Sequence, residues 1–340
     1  METSAAKPQP IAGRSMATAE QDYLRSELEQ RRSRLQSAVR SSSADASLLS
    51  LLSDVDAALT RMDDGTYGIC VTCHDPIEKD RLLADPLVQF CLTDLTHDEQ
   101  RALESDLALA SRIQKALLPP ANFSAKGWEI RYHYAPAGLV SGDYCDLLES
   151  SEGILFALGD VSGKGVAASM LMSHLHATLH SLADSGLPLE RMVEAANRVF
   201  SGSTLAGQFA TLVVGRLYPD GAVEFVSAGH LPLLHIRGSE AWPQAATGVP
   251  LGMFGNARFQ AHRMSLTSGE ALLIYTDGLS EACNAGGEEY GIERVKSVTA
   301  RHPARSADEI ITGCLSGLRN FAADAKQTDD LTVLALRRKD

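Results

Sequence analysis

From Trp128 onward the chain alternates short apolar stretches with Gly-rich turns, and this pattern restricts the fold more than any other feature. Apolar stretches of this length, bounded by Gly, Pro, Asn and Asp, are typical of β-strands. Several strands follow one another before a helix appears, which favours an α+β fold over regular βαβ alternation. The predicted strands are 128–135, 154–160, 209–218, 222–228, 233–237, 261–266, 271–276 and 332–337, and the predicted helices are 165–183, 189–200, 292–300 and 307–323.

The first part of the chain has a helical pattern instead. Residues 1–18 are rich in Ala, Pro, Ser and Gly and are expected to be disordered. A polar helix is predicted over about 20–40, and a second over about 48–62, whose apolar residues have the alternating spacing of a coiled-coil seam. Since neither helix can bury its stripe alone, we expect an antiparallel helical hairpin that ends at Gly65.

A third helix is predicted over about 98–118 and is terminated by Pro119-Pro120. It carries apolar residues on two sides, so we expect it to pack on its own domain and on a second copy of the chain as a homodimer. The predicted domains are a tail (1–18), a helical hairpin with a Cys-bearing module (19–95), a linker helix (96–120) and a C-terminal domain (121–340).

Composition excludes several classes of function. The 340 residues are 44% hydrophobic and 22% charged, which is ordinary for a globular protein. A formal charge of −12 argues against direct nucleic-acid binding. Neither a long apolar segment nor a secretory signal is visible, so we expect no membrane contact. Six Cys, three of them clustered, favour a reduced cytoplasm with a metal site over disulfides.

Five aspartates stand where apolar runs stop and the backbone can turn: Asp143, Asp160, Asp277, Asp329 and Asp330. An Asp-Gly pair alone is typical of a turn. Carboxylates that converge from distant parts of a chain, however, are the oxygen ligands that Mg²⁺ and Mn²⁺ prefer. The joint pattern therefore predicts a metal-dependent hydrolase in which a metal-bound water attacks phosphorus. Asp160 is the best candidate to bridge two ions, since Gly163 and Gly165 let the following chain approach a ligand closely.

Five segments together resemble the sporulation stage II protein E/RsbU-like branch of the metal-dependent PPM protein phosphatases, and the resemblance covers about residues 105–338. The segments are 140–146, 159–165, 227–230, 275–282 and 329–333. The resemblance implies a C-terminal α/β/β/α sandwich of two antiparallel sheets with two Mn²⁺ or Mg²⁺ ions at one end. It also implies hydrolysis of phosphoserine or phosphothreonine on a small anti-anti-sigma (STAS) protein, and hence signal transduction that regulates a sigma factor.

The resemblance also assigns roles to individual residues. Asp160 matches the acid that bridges the ions, and the carbonyl of Val161 completes one coordination shell. Asp277 and Asp329 match ligands of the other ion, and Asp143 matches an acid that acts directly or through water. The neighbour of Asp329 in the sequence, Asp330, ranks below it as a ligand. The predicted catalytic residues are therefore Asp143, Asp160, Asp277 and Asp329.

Other polar residues near these segments could have either a functional or a structural role. Lys164 contacts substrate phosphate or is a solvated loop charge. His174, His176 and His180 lie along one predicted helix, and the last two have i,i+4 spacing. No Glu joins them in a metalloprotease pattern, so structural histidines are the favoured interpretation. His230 is likewise interpreted as structural.

Three cysteines predict a zinc site in the N-terminal module. Cys70 and Cys73 form a C-x-x-C knuckle, and Cys91 follows, while Asp94 stands where a zinc ribbon would place a fourth Cys. Asp94 could supply an oxygen ligand, and His74 or His97 could supply nitrogen instead. The remaining cysteines are interpreted as packing residues.

Residues 20–95 resemble the DksA/TraR zinc-finger family, on the runs 54–59 and 65–70 and on Pro76, Arg81 and Pro86. That resemblance implies a module that enters the RNA polymerase secondary channel. The predicted hairpin tip, 41–46, departs from the family because it has a single acid, Asp45. The other interpretation of the module is a folded unit used for protein contacts or dimerisation. Two functions remain for the whole chain. The first is a phosphatase regulated by its N-terminal module, and the alternative is a transcription-regulatory protein that binds RNA polymerase through that module.

Overall fold

The computed structural model describes residues 18–41, 46–92, 97–150, 152–205, 207–301, 306–323 and 325–339. The chain divides into two compact units, Met1–Ser105 and Asp106–Asp340. The predicted tail lies outside the described residues except for Thr18, and the predicted domain bounds stay a prediction. Across the described part of the chain, each helix is too short or too polar to cross a lipid bilayer.

The N-terminal unit contains a helical hairpin followed by a small Cys-bearing module. Helices α1 (Thr18–Ser41) and α2 (Ala46–Asp63) pack through the predicted stripes. Arg25 contacts Asp63 and Arg32 contacts Asp56, both at 2.7 Å, and this pairing shows that the helices are antiparallel. A short helix, α3 (Lys79–Ala84), was not predicted, and it buries only Leu82.

Helix α4 (His97–Leu117) precedes two antiparallel sheets. The six-stranded sheet has the order β1-β2-β11-β10-β7-β8, and the five-stranded sheet has the order β3-β4-β5-β6-β9. The strands are β1 (Asn122–Ala125), β2 (Trp128–Ala135), β3 (Asp143–Glu149), β4 (Ile154–Val161), β5 (Ala210–Leu217), β6 (Ala222–Ala228), β7 (Leu233–Arg237), β8 (Glu240–Gln244), β9 (His262–Ser265), β10 (Ala271–Tyr275) and β11 (Leu331–Arg338).

The two sheets pack face to face. Phe156 and Leu158 of β4 join Ile274 of β10 and Leu334 of β11 in one buried cluster that takes residues from both sheets. Burial of each such side chain contributes about 1.5–3 kcal/mol. This shared core holds the ends of β3 and β4 next to the ends of β10 and β11.

Helices cover the outer face of each sheet. Helices α5 (Gly165–Ala183) and α6 (Leu189–Ser203) pack on the five-stranded sheet through a cluster that includes Met172 and Phe200. Helices α8 (Gly291–Arg301) and α9 (Ala307–Ala322) pack on the six-stranded sheet around Leu273 and Val333. The C-terminal unit is therefore an α/β/β/α sandwich, as predicted.

The sequence pattern missed three strands and a short helix in this unit. Strands β1 and β8 lie at the edges of the six-stranded sheet and are largely exposed, so they lack an apolar pattern. Strand β3 was missed because it contains Asp143 and Asp146, which are nevertheless buried. The helix α7 (Asp277–Ser280) is a single turn that begins at Asp277, directly after the predicted strand 271–276.

Candidate active site

Acidic residues from both sheets meet at one end of the sandwich. Asp143 begins β3, and its backbone partner across the ladder is Asp160 near the end of β4. On the other sheet, Asp277 follows β10 and Asp330 immediately precedes β11. The Thr276 N–H donates to the Thr332 carbonyl at 3.0 Å and joins these two strand ends. The fold thus gathers carboxylates that are far apart in the sequence.

Asp143 is the most deeply buried acid of the group, with 1% of its surface exposed. Its Oδ2 accepts hydrogen bonds from the hydroxyl of Thr276, at 3.0 Å, and from the hydroxyl of Thr332. Thr332 lies in β11 of the opposite sheet, and Thr276 directly follows β10 of that sheet. The other carboxylate oxygen, Oδ1, is buried and has no hydrogen-bond partner. A buried unpaired carboxylate oxygen is costly, and a cation would satisfy it.

The acids raise one another's pKa. Burial raises the pKa of Asp143 well above its usual range, the Thr332 hydroxyl opposes this, and Asp160 and Asp330 add to it. Burial first, and then the charges of Asp277 and Asp329, raise the pKa of Asp160 from 3.8 to about 7. Burial and Asp329 also raise the pKa of Asp277. Like charges held this close indicate a site built for a positive partner.

The neighbouring acids Asp329 and Asp330 have different contacts. Asp330 accepts backbone N–H bonds from Ala137, at 2.7 Å, and from Gly142, at 2.9 Å. It therefore fixes the loop that leads into β3. The Oδ2 of Asp329 instead lies 2.9 Å from the ammonium of Lys164. Lys164 also donates to the Thr328 carbonyl at 2.9 Å, so its charge lies at the edge of the acidic group.

Two glycines permit the close approach of the segments that carry these acids. A Cβ at Gly142 would lie 2.9 Å from the Val161 carbonyl oxygen and 3.4 Å from Oδ1 of Asp160. A Cβ at Gly278 would lie 1.9 Å from the Asp330 carbonyl oxygen. A side chain at either position would force the backbone apart at the centre of the site.

Sequence reasoning missed three residues that hold this site. Thr276 and Thr332 orient Asp143, but a hydroxyl at a strand end carries no signal of its own in one sequence. Gln114 lies at helical spacing with Leu107, Ala110 and Leu117 of α4, and it is 4% exposed. Its Nε2 donates to the Ser141 carbonyl at 2.6 Å, and its Oε1 accepts from the Ser141 N–H at 3.0 Å. A Gln on an apolar stripe was the available signal.

Two of the predicted structural histidines have distinct surroundings. His230 is buried, its Nδ1 lies 2.8 Å from the Thr211 hydroxyl, and its Nε2 lies 3.1 Å from the Tyr275 carbonyl. Burial lowers its pKa to about 4, so it is a neutral link between the two sheets. On α5, His180 reaches Asp146, with 2.6 Å between Nε2 and Oδ2.

The cysteines of the N-terminal unit also come together. The sulfur atoms of Cys70, Cys73 and Cys91 all lie within 4.8 Å of one another, and those of Cys73 and Cys91 are 3.4 Å apart. Among the described residues, this group has no further ligand atom. Asp94 and the side chain of His97 lie outside the described residues.

Two family models match separate parts of the chain. Residues 150–339 match the model described as stage II sporulation protein E (SpoIIE). Residues 65–93 match the prokaryotic DksA/TraR C4-type zinc finger. The first match contains Asp160, Asp277 and both acids before β11, and the second contains all three clustered cysteines.

Individual relatives and solved structures resemble about two thirds of the chain or slightly more. The chain is 26% identical over 245 residues to the phosphoserine phosphatase RsbU of Bacillus subtilis, over 71% of this chain and 72% of the relative. The RsbU and RsbW domains of Rv1364c from Mycobacterium tuberculosis match with a TM-score of 0.56 and 28% identity, over 65% of this chain and 63% of that one. The SiaA-PP2C domain of Pseudomonas aeruginosa has the same fold, with a TM-score of 0.62 at 20% identity, over 71% and 98% of the two chains.

Proposed function

The chain belongs to the stage II sporulation protein E (SpoIIE) family and is a PPM-type serine/threonine phosphatase, and we propose that it dephosphorylates an anti-anti-sigma (STAS) protein. The observation that carries the proposed site is the buried carboxylate of Asp143, whose Oδ1 has no protein partner and which lies beside Asp160. A buried carboxylate with an unpaired oxygen beside a second acid favours the binding of a cation. The surrounding acids all offer oxygen atoms as metal ligands.

We propose that Mn²⁺ or Mg²⁺ ions are held by the aspartates at the sandwich end. Asp160 would be the shared ligand, with Asp277 and Asp329 as ligands of one ion and the Val161 carbonyl as a ligand of the other. Asp143 would act directly or through a water. Asp330 ranks below Asp329, because both of its carboxylate oxygens already accept backbone N–H groups. When bound, such ions lower the pKa of a water and neutralise charge on phosphate.

The chain's own residues position these ligands. Thr276 and Thr332 hold Asp143 across the sheets, and Asp330 fixes the loop before β3. The ammonium of Lys164 lies at the rim and is 56% exposed. We propose that it moves from Asp329 to the substrate phosphate when the acid binds an ion. In that arrangement it orients the phosphoryl group toward the acids.

The proposed substrate is supported by the likeness to RsbU and by a groove beside the site. The groove has a volume of about 360 Å³, and its lining includes Gly278 and Asp329. Arg319 and Lys326 also line it and supply positive charge for a phosphorylated protein surface.

The test of the substrate class is phosphate release by full-length protein with added Mn²⁺. A serine-phosphorylated STAS protein is compared with an unrelated phosphoserine peptide and with a tyrosine-phosphorylated peptide. We expect faster release from the STAS protein and none from phosphotyrosine. Equal rates on the STAS protein and the unrelated phosphoserine peptide would contradict the proposed substrate, and absence of release from every phosphoserine substrate would contradict the phosphatase activity.

We propose that the N-terminal module regulates this activity, with α4 setting the geometry of a homodimer. The exposed apolar residues Leu109 and Ile113 of α4 support this proposal, since a second copy could cover them. Deletion of residues 1–95 should change both the oligomeric state and the rate of phosphate release. A truncated monomer with unaltered activity would count against regulation by this module.

A second candidate function is binding to RNA polymerase, which is favoured by the zinc-finger match at 65–93 and by the antiparallel hairpin. Full-length protein would be used to capture purified RNA polymerase. Capture that is lost with Cys70→Ser and kept with Cys283→Ser would support this function. Absence of capture would leave the module a zinc-binding regulatory element.

A further inference from the structure

We propose that Asp146, His176 and His180 form a zinc site on the helix-covered face of the five-stranded sheet, separate from the acidic site. One ligand atom from each of the three residues lies within 4.8 Å of the others. The Oδ2 of Asp146 is 2.6 Å from Nε2 of His180 and 3.4 Å from Nδ1 of His176. Two imidazoles thus converge on one carboxylate oxygen.

Each ligand is supplied by a regular element. Along β3, Cys145 and Leu147 point into the core between the sheets, so Asp146 points to the opposite face, toward α5. His176 and His180 are four residues apart on α5 and therefore share one side of that helix. Asp143 lies on the same face of β3 as Cys145, which separates the two sites across the sheet.

The carboxylate of Asp146 is already oriented by further groups. The Tyr144 hydroxyl donates to Oδ2 at 2.8 Å, and the Leu147 N–H donates to Oδ1 at 2.8 Å. The side chain is 6% exposed. Outer hydrogen bonds that fix the orientation of a ligating carboxylate are a regular feature of metal sites.

His176 carries the strongest sign of a missing partner. Its side chain is 14% exposed, and its Nδ1 is buried without a hydrogen bond although it faces the Asp146 carboxylate. Its ring centroid lies 3.9 Å from that of His180. A cation bound between the rings and the carboxylate would satisfy this nitrogen and bring the three ligand atoms into one coordination shell.

The donor set favours a transition-metal ion over Mg²⁺. Two imidazole nitrogens and one carboxylate oxygen suit Zn²⁺, whereas Mg²⁺ prefers oxygen ligands alone. The side chain of His180 is 37% exposed, so a fourth position is open to water from that side. A bound zinc ion would tie α5 to β3, and α5 begins five residues after Asp160. The site would therefore stabilise the elements on which the acidic site is built.

The test uses full-length protein in excess Mg²⁺, so that added Zn²⁺ competes poorly for the acidic site. Zinc should raise the melting temperature of the transition of the C-terminal unit in wild type, and His176→Gln and His180→Gln should lose this rise and bind about one zinc fewer per chain. His174→Gln is the matched control, because His174 lies on the same helix beside Phe200, away from Asp146. It should keep the full response.

A second measurement distinguishes metal binding at the proposed site from metal binding at the cysteine cluster. In Cys70→Ser protein, Co²⁺ should still give a visible spectrum without thiolate charge-transfer bands, and His176→Gln added to that background should remove it. The cobalt spectrum does not depend on a comparison of melting temperatures. It therefore tests metal binding at His176 even if a histidine variant is less stable. Unchanged zinc content in His176→Gln and His180→Gln, or a cobalt spectrum that is the same with and without His176, would overturn the proposal.

Discussion

At the scale of single residues, the acidic site is an unfavourable arrangement in the absence of cations. Asp143 is buried with one unpaired oxygen, and Asp160 lies beside it with a pKa of about 7. Natural proteins retain such arrangements where function requires them. The unfavourable free energy of these buried acids should lower the stability of the metal-free protein.

Asp160 makes the metal-free protein less stable as the pH rises. Its pKa is about 7 in the folded protein and 3.8 for an ordinary aspartate, so between these values the folded state binds a proton that the unfolded state has lost. The stabilisation is complete below about pH 4 and is lost as the pH rises through about 7. With a chelator near pH 8, Asp160→Asn should therefore be more stable than wild type by about 2 kcal/mol, after allowance for partial exposure.

Urea unfolding near pH 8 and at about pH 3 measures this difference in the free energy of unfolding between Asp160→Asn and wild type. At about pH 3 the advantage of Asp160→Asn should largely disappear, because Asp160 is then mostly protonated in both the folded and unfolded states. Asp184→Asn, at the exposed end of α5, is the matched control and should show no such pH dependence. A stability difference that does not change with pH would show that Asp160 titrates normally.

Gly278 is the tightest backbone contact of the site, since an added Cβ would lie 1.9 Å from the Asp330 carbonyl oxygen. Because a backbone oxygen cannot move aside cheaply, Gly278→Ala should destabilise the protein by about 1–3 kcal/mol and reduce phosphate release at least about tenfold. Gly202→Ala, on α6 with open space around the added methyl, is the control and should leave both quantities unchanged or raise stability. Equal behaviour of the two variants in thermal unfolding and activity assays would refute the role of this contact.

At the scale of elements, a polar pair joins α4 to the acidic site. Gln114 forms paired hydrogen bonds with the backbone of Ser141, and Ser141 in turn accepts a hydrogen bond from the Asp143 N–H through its hydroxyl, at 3.0 Å. The position of the C-terminal part of α4 is therefore linked to the start of β3.

Gln114→Ala should loosen the loop before Asp143, because it leaves the buried Ser141 N–H and carbonyl without their partner. We expect a loss of about 1–3 kcal/mol in stability and a weaker apparent affinity for Mn²⁺ in phosphate-release titrations. Lys115→Ala, its exposed neighbour on α4, should change neither. Unaltered Mn²⁺ dependence in Gln114→Ala would show that the pair only packs the helix.

Elements with a strong apolar period were predictable from the sequence. The bounds 128–135, 222–228, 233–237 and 165–183 agree with the structure, because in each of them burial dominates local preference. Strand β3 was not predictable in this way. Its two aspartates are buried because Asp143 belongs to the acidic site and Asp146 belongs to the cluster with His176 and His180. The residues that contact them come from other elements and are therefore known only from the tertiary structure.

At the scale of the whole molecule, the sequence indicated a helical N-terminal part and a strand-rich C-terminal part. It did not indicate the order of the strands in the sheets. The last strand, β11, lies between β2 and β10, and this pairing brings Asp330 to the loop before β3. Such long-range order has no local signal in one sequence. The convergence of acids was predicted through the resemblance to the PPM phosphatases, whereas Thr276, Thr332 and Gln114 required the structure.

The two units should respond separately to loss of the cysteine cluster. Cys70 is buried within the N-terminal unit, so Cys70→Ser should lower the zinc content by about one ion per chain and lower the melting temperature of a transition assigned to that unit. Cys283→Ser, at an exposed cysteine of the C-terminal unit, should change neither zinc content nor that transition. Calorimetry with zinc analysis makes the comparison, and equal zinc content in the two variants would contradict a zinc site at Cys70.

The central claim is that the gathered aspartates hold the ions used in phosphoserine hydrolysis. The most direct measurement is phosphate release from a phosphoserine protein as a function of Mn²⁺ concentration, for wild type, Asp160→Asn, Asp277→Asn and the control Asp184→Asn. We predict saturable activation of wild type and Asp184→Asn, and a loss of at least about a hundredfold in the other two. Activity in Asp160→Asn and Asp277→Asn close to that of wild type would contradict this account of the site.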